Sequence, residues 1–285
     1  MSNIILEQKW LEGVNGKIGY FLNKNFENRP TVIFLHGLSA NHTTWDNLAQ
    51  EMNKFQLNIL LIDLRGHGHS DKSKKRGLYK IPVFTEDLKE IIEKEKLSQV
   101  ILVGYSFGGF IALDYAIKYP SGLACLILIS ANHTNPLKYK HLNFLTWPAY
   151  GAVNLLAWLL IWQKRKKYYY FNQATDLGYW RSTLKGYLTM PLSINLWMLS
   201  ENAHIDFSQD LEKIACPTLI IKSRADHLVS QAEINDMKKK IKSSKSVVLD
   251  ETSHYLASRH QKIISGIIIN FLREKSIISY ENSDF

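Results

Sequence analysis

Gln99-Val-Ile-Leu-Val-Gly-Tyr-Ser-Phe-Gly-Gly-Phe-Ile-Ala-Leu-Asp-Tyr-Ala-Ile-Lys-Tyr-Pro120 decides how the rest of the chain is read. Val100 to Val103 is a short β-branched apolar run, which predicts a buried strand. Phe110, Ala112, Leu113, Ala116 and Ile117 then recur at helical spacing. Between them stands Gly104-x-Ser106-x-Gly108. Strand, Gly-x-Ser-x-Gly, helix is the context of a nucleophile elbow, a turn so tight that side chains two residues either side of the serine would collide. A glycine-rich turn carrying an ordinary serine is the competing reading, and only the surrounding chain decides between them.

Working outward, Ile4 to Leu11 and Lys17 to Leu22 alternate around Val14-Asn15-Gly16, which predicts an antiparallel hairpin. Thr31 to Leu35 and Leu57 to Ile62 are continuous apolar runs, the pattern of strands buried on both faces. Helices are expected at Trp45 to Lys54 and Pro82 to Glu95, and another strand at Leu123 to Ser130. After a break, a strand (Pro217 to Lys222), a helix (Gln231 to Ile241), a strand (Lys245 to Leu249) and a helix (His260 to Glu274) resume the alternation, and Ile277 to Phe285 reads as a frayed tail. Such alternation means an α/β fold, a mostly parallel sheet with helices on both faces. Ligands bind beyond the carboxyl ends of such strands, so the loops at Gly37-Leu38, at Ser106 and after Ser130 should converge on one edge.

Residues 132–205 interrupt the pattern. They are helical and aromatic, and read as a cap inserted between a first core segment, 1–131, and a second, 206–285. Leu142 to Trp162 carries no charged residue and is long enough to be considered as a transmembrane helix. Strands before and after it must join one sheet, however, and Pro148, Gly151 and Asn154 should divide it. A helix pair lining an apolar pocket is the preferred reading. Lys164-Arg165-Lys166-Lys167-Tyr168 directly follows, so peripheral contact of the cap with an anionic membrane surface is the second.

The 285 residues suffice for one large core, and the net charge of +9 comes from 35 Lys+Arg against 26 Asp+Glu. No nucleic-acid motif accompanies the basic residues, so that partner is rejected. Cys125 and Cys216 form no disulfide framework and suit a reducing compartment. Met1 to Leu11 does not read as a signal peptide, and a cytoplasmic location is expected.

A serine hydroxyl needs a base, and the base an orienting acid. Asp226 follows the strand Pro217 to Lys222, whereas Asp206, Asp210, Asp236 and Asp250 sit less suitably; a solvated loop carboxylate is the alternative for Asp226. His254 follows the final strand. His227 is its nearest rival, and His260 begins the last helix as a cap or solvated residue. The backbone N–H groups of Phe107 and Leu38 are the expected oxyanion donors, with His36 anchoring the Leu38 loop. His67-Gly68-His69 lacks a third metal ligand. No metal or cofactor motif is recognised, and no P-loop or dinucleotide fingerprint occurs.

With His36-Gly37, Asp63-x-Arg65-Gly66-x-Gly68-x-Ser70, Gly104-x-Ser106-x-Gly108 and the Asp226/His254 pair in this order, the chain resembles the α/β-hydrolase fold family over nearly its whole length. The resemblance implies a serine hydrolase cleaving a small-molecule carboxylic ester through an acyl-enzyme; the aromatic, apolar cap suggests an apolar acyl or aromatic substrate, and so a lipase-like, monoglyceride-lipase-like or carboxylesterase-like reaction. Serine rather than aspartate at the elbow implies that epoxide hydrolase and haloalkane dehalogenase chemistry are not performed. A carbon–carbon bond hydrolase, a lactonase or a cofactor-free perhydrolase would use the same triad, and a non-catalytic ligand receptor could keep the same fold.

Overall fold

Apolar residues that alternate along each central strand are sorted by the pleat onto two faces, and each face collects its own helices. The computed structural model describes residues 4–134, 143–162, 170, 179–250 and 260–279. Its strands are β1 (Glu7–Gly13), β2 (Gly16–Asn23), β3 (Thr31–Leu35), β4 (Asn58–Ile62), β5 (Val100–Tyr105), β6 (Leu123–Ile129), β7 (Thr218–Ser223) and β8 (Ser244–Leu249). They form one eight-stranded sheet in the order β1-β2-β4-β3-β5-β6-β7-β8. The β1–β2 hairpin turns at Val14-Asn15, closed by the Gly13–Gly16 pair, and β2 joins β4 antiparallel. From β4 through β8 every pairing is parallel.

The helices are α1 (Asp46–Asn53), α2 (Ile81–Lys94), α3 (Phe107–Lys118), α4 (Asn143–Leu159), α5 (Tyr179–Thr189), α6 (Leu192–Glu201), α7 (Gln231–Lys240) and α8 (Gln261–Glu274). Ile33, Leu35, Leu102, Leu128 and Ile220 face the side covered by α2, α3 and α7. Val32, Phe34, Val103, Ile129 and Ile221 face the side covered by α1 and α8. Because β3, β5, β6 and β7 run in parallel, their carboxyl ends share one edge, and the loops after them meet there.

Two expectations are corrected. The C-terminal tail is tied down as far as Ile278: Ile277 N–H donates to the Leu272 carbonyl and Ile278 is buried, so apolar docking resists fraying there. And α4 runs unbroken through Pro148, Gly151 and Asn154. A proline on its second turn removes one hydrogen bond without ending the helix, Gly151 lies in open space, and Asn154 is fixed by a hydrogen bond from Ser200 Oγ. Among the described residues no helix is long and apolar enough to cross a membrane. Residues 280–285 lie outside the described residues.

Candidate active site

Ser106 sits between β5 and α3 with φ 50° and ψ −113°, a conformation that costs a non-glycine residue about 1–3 kcal/mol and persists only when the surroundings impose it. The surroundings do so by close approach. A Cβ on Gly104 would lie 2.7 Å from the Gly108 carbonyl oxygen and 2.8 Å from the Ala112 Cβ. One on Gly108 would run into the Leu35 carbonyl. Neighbouring backbone fixes the turn as well, with Ser106 N–H donating to Ile129 O at 3.1 Å and Gly109 N–H to Ser106 O at 2.9 Å. The serine is thereby lifted over the sheet edge while α3 begins directly behind it.

The loop after β3 lies beside it. A Cβ on Gly37 would stand 3.4 Å from the Ser106 Cβ. The Ala40 N–H closes a turn onto the Gly37 carbonyl at 3.2 Å. Among the described residues neither the Leu38 N–H, in the loop after β3, nor the Phe107 N–H, at the start of α3, donates to a protein acceptor.

Two buried histidines hold this loop. His36 Nε2 accepts the Leu64 N–H at 3.1 Å, so its Nδ1–H donates to the Gly37 carbonyl at 2.8 Å. His67 does the same from the β4 side, accepting the Ser39 N–H at 3.1 Å and donating to Arg65 O at 3.0 Å. Burial pushes His36 down to about 4 and His67 well below the usual histidine range, so both are neutral at pH 7. The anchoring read into His36 therefore holds; that of His67 was hidden inside a glycine-rich turn. Ser39, at φ 62°, also donates through Oγ to Asn195 Oδ1 of α6 at 2.5 Å, tying the loop to the insertion.

Beneath them lies Asp63. Its Oδ1 accepts the backbone N–H and Nδ1–H of His42 at 2.8 and 2.9 Å, and its Oδ2 accepts the same pair from His69 at 2.8 and 2.9 Å. Burial pushes this carboxyl up, but the hydrogen bonds from His42 and His69 outweigh it and hold the group well below the usual carboxylate range. His42, Asp63 and His69 offer three metal-ligating atoms within 4.8 Å of one another. With both carboxylate oxygens occupied by N–H donors, the cluster fits a hydrogen-bonded turn better than a cation. Arg65 continues this network to Asp87, Nε to Oδ2 at 3.0 Å.

On the far side of the elbow, Asp226 is buried in the loop after β7. Its Oδ1 accepts the Leu228 and Val229 N–H groups at 2.9 and 3.1 Å. His227 beside it is exposed, so the adjacent pair does not point to one place. Asp250 pairs with Arg224 at 2.5 Å and Asp236 with Lys240 at 3.0 Å, which engages two of the rival acids elsewhere. His260 starts α8 without a side-chain capping bond, its carbonyl accepting the Ile264 N–H. His254 lies outside the described residues. The structure thus sets Gly37, the residue before Leu38, against Ser106, starts α3 at Phe107 directly after the serine, and places Asp226 in the loop after β7, on the same sheet edge.

Residues at the root of the insertion went unread in the sequence. Asn132 Nδ2 donates to the Leu228 carbonyl at 2.9 Å, in the loop that holds Asp226. His133 is buried between Glu233 Oε2 (2.6 Å) and Asp236 Oδ2 (2.9 Å). A buried histidine after an apolar strand gives no sequence sign that two acids of a later helix will flank it.

A family model described as alpha/beta hydrolase fold matches residues 30–171, the stretch that carries the elbow and both loops around it. The chain belongs to the α/β-hydrolase fold family. Epoxide hydrolase 4 from Mus musculus is 24% identical over 271 residues, spanning 87% of this chain and 74% of that protein. A pimeloyl-[acyl-carrier protein] methyl ester esterase from Aeromonas hydrophila is 24% identical over 257 residues, 87% of this chain and 98% of its own. Among solved structures, a hydrolase from Pseudomonas aeruginosa superposes with a TM-score of 0.73 at 16% identity, covering 93% of this chain and 98% of that one. Each of these three proteins is a hydrolase or esterase by name.

Proposed function

We propose that the chain hydrolyses small apolar carboxylic esters through an acyl-enzyme on Ser106. The observation that carries this reading is the strained Ser106 backbone between β5 and α3, with the Gly37 loop packed against the serine. Ser106 Oγ attacks the ester carbonyl and passes its proton to His254. The negative charge that develops on the carbonyl oxygen is met by the Phe107 and Leu38 N–H groups, a term worth about 3 kcal/mol per donor. His254 then protonates the leaving alcohol, and water, activated by the same imidazole, releases the acid. Asp226 orients His254 and stabilises its charged form. Its burial beyond β7 and the position of His254 between β8 and α8 support these roles.

The epoxide hydrolase relative raises a second reading, and the nucleophile argues against it. A serine hydroxyl opening an epoxide would form an alkyl ether, which has no carbonyl for water to attack, so turnover would stop. Attack on an ester leaves an acyl-serine that water can cleave. The Aeromonas esterase, aligned along nearly its full length, favours the same chemistry.

A fluorophosphonate probe should label the chain at Ser106, and p-nitrophenyl esters of graded chain length should be turned over. Ser106→Ala should lower kcat by at least about 10⁴-fold while leaving the circular dichroism spectrum unchanged. Full turnover in that variant would sink the mechanism. Absent labelling of the wild type would favour a ligand receptor, and an optimum at acetyl would exclude lipase-like substrates.

A further inference from the structure

We infer that the outward face of α4 is a docking surface for an anionic lipid surface. From residue 151 to 162 the segment has an inward and an outward face, and the outward one is apolar. Asn154, Ala157 and Ile161 follow one row at spacings of three and four and turn inward: Ala157 is fully buried, Ile161 packs on the core, and Asn154 accepts from Ser200 of α6. On the opposite side Leu155, Leu156, Trp158, Leu159 and Trp162 are exposed, the two tryptophans at 64% and 78%. A contiguous exposed apolar face of this size is normally covered, by protein or by lipid. Residues 143–162 contain no charged side chain that would make this face comfortable in water.

The charge around the patch identifies what covers it. Lys74 Nζ sits 3.5 Å from the centroid of the Trp162 ring, so an exposed ammonium group of the core meets the edge of the patch. Lys74, Lys75 and Arg76 are exposed. Lys164-Arg165-Lys166-Lys167 follows Trp162 by one residue in the sequence, and the whole chain carries +9. An apolar strip with tryptophans and a lysine ammonium group at its edge matches a lipid interface: large apolar side chains enter the acyl boundary while ammonium groups meet anionic headgroups. A second copy of this chain would bring the same positive rim against itself, so like charges oppose that occupant. With 17 residues, α4 lies in the interface and does not span it.

Flotation of the full chain with vesicles tests this without requiring turnover. Phosphatidylcholine vesicles containing one-quarter phosphatidylglycerol should carry the wild type to the top of the gradient, and pure phosphatidylcholine vesicles much less. Trp158→Ala/Trp162→Ala should weaken partitioning on the order of tenfold, and Lys74→Glu about fivefold, the latter effect fading in high salt. Circular dichroism and labelling of Ser106 serve as folding controls for both variants. Wild type that stays with the dense fraction, or partitioning unchanged by loss of both tryptophans, would overturn the inference. So would a tryptophan-dependent dimer seen by light scattering without vesicles. Ser106→Ala should float like wild type, so failure here and failure of the ester reading are separable.

Discussion

The sheet edge around Ser106 and the outward face of α4 are built on opposite terms. At the edge, polar groups are buried and paired: Asp63 takes four N–H donors, His36 and His67 each use both ring nitrogens, and Ser106 is held in a costly backbone conformation. On α4, large apolar groups such as Leu155, Leu156, Trp158 and Leu159 are exposed. Reaction geometry needs atoms fixed to a fraction of an ångström, which directional hydrogen bonds and backbone contact supply. A surface that meets a fluid layer needs area and charge, not precision. The two regions should therefore respond to perturbation in different ways.

The largest difference should come from adding one methyl group. Gly108→Ala drives a Cβ into the Leu35 carbonyl, backbone against backbone, with no side chain able to give way. More than about 4 kcal/mol of stability should be lost, and little folded protein recovered. A soluble Gly108→Ala variant with an unchanged urea midpoint would mean that the elbow is looser than its contacts imply.

Acid comes next. His36 is buried neutral and titrates near 4, against 6.5 in the unfolded chain. Between those values the unfolded chain binds a proton that the native state does not, so stability rises with pH across this window and is lost as pH falls from 6.5 towards 4. Integrated over the window, His36 alone accounts for roughly 3 kcal/mol; His67 shifts in the same direction. Urea midpoints measured between pH 7 and pH 4 should fall, and His36→Gln should flatten that slope. An identical slope in the variant would remove His36 from the explanation.

The strands are legible in the sequence because residues such as Val32 to Leu35 and Ile59 to Leu61 are buried on both faces, which forces continuous apolar runs. The elbow is legible because its two glycines answer backbone contacts at fixed spacing. The anchors are not. His67, Ser39 and Asn195 meet across 28 and 156 residues, and nothing local to any of them marks the partner. The helix through Pro148 was hidden for a related reason, since local breaking signals in α4 are overridden by packing on α6 through Asn154 and Ala157.

Ser39 and Asn195 join the loop beside Ser106 to α6, the helix on which α4 packs, so their coupling measures how far α6 steadies that loop. Their hydroxyl–amide bond is buried. A double-mutant cycle with Ser39→Ala and Asn195→Ala should return an interaction of about 1 kcal/mol in stability. On the proposed mechanism the loop's donor acts in the transition state, so each single variant should lower kcat for a soluble ester more than it raises KM. Additive losses would mean that the insertion only rests on the loop.

The smallest effect should have the opposite sign. Gly151 is exposed within α4, and a Cβ there would meet nothing within 4 Å. Gly151→Ala removes backbone freedom from the unfolded chain and adds no clash, so stability should rise by about 0.5–1 kcal/mol, read as a higher urea midpoint. The same methyl group that breaks the elbow should thus improve the helix. A loss at Gly151 would show that something packs closely on this face in solution, and a lipid layer, absent from the assay, could not be that partner.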